Sequence, residues 1–142
     1  MRWAAAVTWF ITIDGGVVLV VAWLRGGGLR RSRRRGPRIG PELVAVHLSL
    51  AATSFGLWIA YLADGGRAFA VAALCILVVV ATIGFTMFGI WLVHRVTAPA
   101  PVARSEESTP LDQRLPVSVI VLHGLFAATT LVLVAIVVLS TG

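Results

Sequence analysis

Four stretches of this chain are each long and apolar enough to cross a lipid bilayer, and they leave few folds open. They run from about Trp3 to Leu24, Leu43 to Ala63, Ala68 to Val93 and Val117 to Leu139. A helix needs roughly 20 mainly apolar residues to span the hydrocarbon core. None of the four shows the alternation of a membrane barrel strand. Each must satisfy its backbone hydrogen bonds within itself, which only a helix does in lipid. The expected fold is therefore all-α: an integral membrane four-helix bundle, with residues 1–142 forming one transmembrane domain. Composition agrees. The chain is 58% hydrophobic and 13% charged, against about 25% charged in a soluble domain.

The first stretch differs from a cleaved secretory signal. Asp14-Gly15-Gly16 interrupts its middle, Arg25 follows only at its far end, and no small-residue cleavage site stands out. It reads as a retained helix, with Trp3 and Trp23 at its ends where an aromatic belt would put them. Cys75 is the single cysteine, so an intrachain disulfide is excluded; inside an apolar run it is expected to be a buried, inert thiol.

The charge is concentrated in the connections. All twelve basic residues are arginines. Arg25, Arg30, Arg31, Arg33, Arg34, Arg35 and Arg38 follow the first span, and Arg95, Arg104 and Arg114 follow the third. Only Arg2 and Arg67 lie on the other side. By the positive-inside rule, loops 25–42 and 94–116 are cytoplasmic and both termini lie outside; the weight of Ala, Val and Gly in the sequence suggests the cytoplasmic membrane of a bacterium. The basic run at Arg30–Arg38 is a candidate contact for anionic lipid headgroups. It lies between apolar spans rather than on a folded face, so no nucleic-acid partner is expected. Gly26-Gly27-Gly28 and residues 36–41 read as a flexible link, Glu42 after Pro41 suits a first helical turn, and Asp64-Gly65-Gly66-Arg67 reads as a tight turn. No loop is long enough to fold into a catalytic domain, and no HExxH, phosphate-binding glycine loop or GxSxG occurs.

Polar groups inside the spans are the functional candidates, because the bilayer penalises them. Counting 1.5 Å per residue from the helix ends, His47 and His123 fall at one depth, and His94 falls in the same leaflet nearer its surface. A deeper layer centres on Asp14, with Thr53 and Ser54, Thr86, and Thr129 and Thr130 close to its level. Buried there, Asp14 is expected to be neutral and to donate a hydrogen bond; the hydroxyls are expected to join helices. His47, Ser54 and Tyr61 recur every seven residues and should share an inward face.

Two imidazoles at one depth suit an iron or another transition metal. Ala51 and Ala52, Gly124, and Ala127 and Ala128 offer room beside them. This layout resembles the small four-helix membrane cytochromes b, in which haem is held between histidines on different helices. The resemblance rests on span count and on His47, His123 and His94. It implies at most one b-type haem and electron transfer, since the four-ligand pattern of the diheme proteins is not met. Zn or Cu on His47 and His123 is the rival metal reading, although such sites usually recruit cysteine or carboxylate as well. Two further readings stay open: a non-catalytic subunit or scaffold that binds a membrane partner or a second copy, and a small transporter that uses Asp14.

Overall fold

The computed structural model describes residues 1–31, 39–96 and 115–140. They form α1 (Arg2–Arg25), α2 (Gly28–Arg31), α3 (Pro41–Asp64), α4 (Arg67–Val96) and α5 (Val117–Ser140), with no strand among the described residues. The four long helices are each long and apolar enough to cross a membrane, and they match the expected spans to within three residues at either end. The fold is the all-α four-helix membrane bundle that the apolar runs imply.

Local chemistry sets the helix ends. Pro41 opens α3, where its missing N–H costs nothing, and Glu42 follows in the first turn. At the far end Gly65 turns at φ +74° and donates its N–H to the Tyr61 carbonyl at 2.9 Å, a conformation glycine adopts without strain. Arg67 then starts α4, so the tight turn is as expected. The Gly26–Gly28 link is more ordered than its composition suggests: Gly27 sits at φ +82°, and Gly28 begins the short α2 with the Trp23 indole where its Cβ would be. The Asp14-Gly15-Gly16 run does not break α1 either. Helix α1 runs unbroken from Arg2 to Arg25, because hydrogen bonds within the helix outweigh the propensity cost of two glycines.

Helix α1 packs along α5 and α3 along α4, and α4 against α5 joins the two pairs; the backbones of α1 and α3 meet only slightly. Large rings fill that seam. Trp9 lies 5.6 Å from Phe55 and 6.0 Å from Trp58, and Phe10 lies 5.1 Å from Phe55. Elsewhere fully buried Ala5, Ala70 and Ala73 let backbones approach, as membrane helices require when packing, not hydrophobicity, drives association.

Two apolar clusters mark the ends of the bundle. Trp9, Trp58, Tyr61, Leu77 and Val134 belong to one; Trp23, Ile39, Val44, Trp91 and Leu115 form the other. The clusters show that α1 and α4 run one way and α3 and α5 the other. They also show that Trp23 is not a belt residue. It is buried against Gly28, whereas Trp3 is exposed. Cys75 is corrected in the other sense: it is exposed on the outer surface of α4, not buried. An apolar run several turns long is apolar all round, so the run alone cannot tell which face a cysteine takes.

Candidate functional site

Between the two apolar clusters lies a level built from histidine and glycine. On α5, His123 is half-buried with its ring over α1. A Cβ at Gly16 would stand 3.2 Å from His123 Cε1, and one at Gly15 would stand 3.4 Å from His123 Cβ. The two glycines therefore make the room for this side chain. Nδ1 of His123 lies 2.9 Å from the Thr12 carbonyl. That carbonyl can only accept, so Nδ1 carries the proton and Nε2 of the neutral ring keeps its lone pair.

The α3–α4 pair repeats the device. His47 is half-buried with its ring over Gly84, where a Cβ would stand 3.3 Å from Cε1. The ring lies beside the Val80 carbonyl, four residues before that glycine, as Thr12 stands four before Gly16. Here the contact is not closed: Nδ1 of His47 is buried without a hydrogen-bond partner. Both imidazoles thus lie between the two apolar clusters, each packed over a glycine of a facing helix.

Hydroxyls seven residues further along extend the parallel. Ser54 on α3 is fully buried and donates to the Ala73 carbonyl of α4 at 2.7 Å. Thr130 on α5 is buried and donates to Thr8 Oγ1 of α1 at 3.0 Å, with its own Phe126 carbonyl 2.8 Å away. Thr8 passes its own proton to the Ala5 carbonyl at 3.0 Å, and Thr12 Oγ1 lies 3.5 Å from Thr130. Tyr61, the third member of the α3 stripe, is buried too.

Several sequence expectations are corrected here. Thr53, Thr86 and Thr129 do not join helices. All three are exposed and donate to the carbonyl four residues back on their own helix, at 2.9 Å in each case. Adjacent positions lie about 100° apart on a helix, so Thr53 cannot share the face of Ser54, nor Thr129 that of Thr130. Asp14 is exposed and is not in the bundle interior. It also does not define a deeper level than the histidines, since His123 reaches α1 at the neighbouring Gly15 and Gly16. Depth counted from helix ends ignores tilt, and the described helices differ in length. Ala52, Gly124 and Ala128 are exposed, so the room beside the rings comes from Gly15, Gly16 and Gly84 on the facing helices. His94 is half-buried in the last turn of α4. It lies ten residues beyond Gly84, about 15 Å along the helix, and does not join the pair.

Thr8 and Thr12 are the contributors that sequence reasoning passed over. Helix spacing could have found them, since Thr8, Thr12 and Gly16 recur every four residues. No group of three or more metal-binding side chains occurs among the described residues. Of the candidate lipid contact at Arg30–Arg38, residues 32–38 lie outside the described residues, as do Arg104 and Arg114. Comparison with protein-family models, curated proteins and solved structures gives no match. The architecture is that of a multi-pass membrane protein with two histidines packed between its helices.

Proposed function

We propose that this protein holds one b-type haem between His47 and His123 and serves as a membrane electron carrier, with its arginine-rich segment in the cytoplasm. The observation that carries the reading is the state of the two rings. His123 is oriented by its Nδ1 bond to the Thr12 carbonyl, the arrangement by which a ligating imidazole is usually fixed. His47 is set in the same way, its ring turned to the Val80 carbonyl with Nδ1 short of hydrogen-bond geometry, which leaves Nε2 as the nitrogen that would bind iron. Both rings come from the α3 and α5 helices, which run in the same direction on opposite sides of the bundle. Haem would supply one-electron chemistry; the chain's part is to hold the imidazoles and exclude water with the tryptophan-rich clusters above and below.

The test is the visible spectrum of the purified full chain, expressed with haem supplied. The expected result is a Soret band that is lost in His47→Ala and in His123→Ala while helical circular dichroism is retained, and that persists in His94→Ala. A folded wild-type protein without a Soret band would overturn the reading. The arginine-rich side is checked separately, by reaction of a cysteine placed at Ser32 with an impermeant reagent in intact cells; labelling there would reverse the orientation.

A further inference from the structure

Asp14 is a carboxyl group at the middle of a membrane-spanning helix, facing away from the bundle. It stands twelve residues from Arg2 and eleven from Arg25, so at 1.5 Å per residue it lies more than about 15 Å from either end of α1. Its side chain is far too short to reach the headgroups, unlike the long basic side chains that snorkel. On the helix surface it is directly opposite the packed side: Ala5, Trp9 and Trp23 are buried and Gly16 lies under His123. Around it runs an exposed stripe of Val7, Ile11, Val18 and Val21. With Asp14 these positions are spaced four, three, four and three, all within an arc of about 80° on the helix. That is the seam another helix packs into. Helix α1 leaves this side open because it packs along α5 and barely meets α3.

We propose that this face of α1 docks a transmembrane helix of another protein, one that carries a single lysine or arginine at mid-depth to pair with Asp14. Charge complementarity selects this occupant. A lone carboxyl in lipid is expensive and is found paired. The chain has no lysine, and the arginines of its long helices, Arg2, Arg25, Arg67 and Arg95, all stand in first or last turns. A second copy would therefore bring no cation to this level, only another Asp14. A partner cation would satisfy the carboxyl in a medium where opposite charges attract strongly. The inference stands apart from haem binding, since Asp14 lies on the side of α1 away from the His123 ring.

The experiment uses the full chain, donor-labelled at its exposed single cysteine, Cys75, in phosphatidylcholine vesicles. The probes are acceptor-labelled synthetic helices of about 20 leucine and alanine residues, with arginine or leucine at the centre. Energy transfer should show about tenfold tighter association with the arginine helix than with the leucine helix. Asp14→Asn, which keeps shape and hydrogen bonding, should abolish the preference, and Asp14→Leu should do the same. No preference in the wild type, or a preference that survives Asp14→Asn, overturns the proposal. Self-association of the chain that survives Asp14→Asn but is lost in Asp14→Leu would replace the cationic partner with a second copy.

Discussion

In both helix pairs an imidazole lies over a glycine and faces the carbonyl four residues before it, but only α1–α5 closes the bond. His123 has the Thr12 carbonyl at 2.9 Å, and a chain of hydroxyls from Thr130 through Thr8 to Ala5 follows along the same interface. The α3–α4 pair has one strong interhelical bond, from Ser54 to Ala73, and leaves Nδ1 of His47 unsatisfied. The same parts thus give one interface whose polar groups are spent on holding helices together and another with a polar group in reserve. A buried donor or acceptor without a partner costs more than a typical hydrogen bond gains. The pair that is less complete is therefore the one where a ligand or a substitution has most to gain.

The largest effects should come from filling the space under the rings. Gly16→Leu and Gly84→Leu should each lower unfolding free energy in lipid micelles by about 1–3 kcal/mol, the usual cost of overpacking. Gly16→Leu should be the worse of the two, because the His123 ring is held by its bond while the His47 ring can give way; equal losses would break the comparison. Next come the histidines. His123→Leu should cost about 1 kcal/mol through the lost interhelical bond, whereas His47→Leu should be neutral or stabilising in the haem-free protein because it removes an unsatisfied nitrogen. A loss at His47 as large as that at His123 would mean that its nitrogen is satisfied after all. Among the hydroxyls, Ser54→Ala and Thr130→Ala should cost about 0.6 kcal/mol each, the average for such bonds between membrane helices. Thr53→Ala, Thr86→Ala and Thr129→Ala should stay within about 0.5 kcal/mol of the wild type, which thermal unfolding of the three variants would check.

Much of this site was legible along the chain. Seven-residue spacing put His47, Ser54 and Tyr61 on one inward face, and all three carry buried atoms or are buried outright. The pairing of Ser54 with Ala73 was not legible, because the acceptor is a backbone carbonyl and every residue has one. Nor was the role of Gly15, Gly16 and Gly84. A glycine in an apolar run signals room only once the facing helix shows what occupies it.

Length, hydropathy and turn chemistry settled by themselves that the chain forms four membrane-crossing helices and where they begin and end, since a helix in lipid closes its hydrogen bonds locally. Direction around each helix was another matter. Spans that are apolar on every side carry almost no mark of which face turns inward, because lipid and protein interior are equally apolar to a leucine or a valine. Only the packing of α1 on α5 and α3 on α4 decided that Ser54 and Thr130 join helices while Thr53 and Thr129 do not. The same packing turned Asp14 outward and laid two histidines over glycines on the helices that face them.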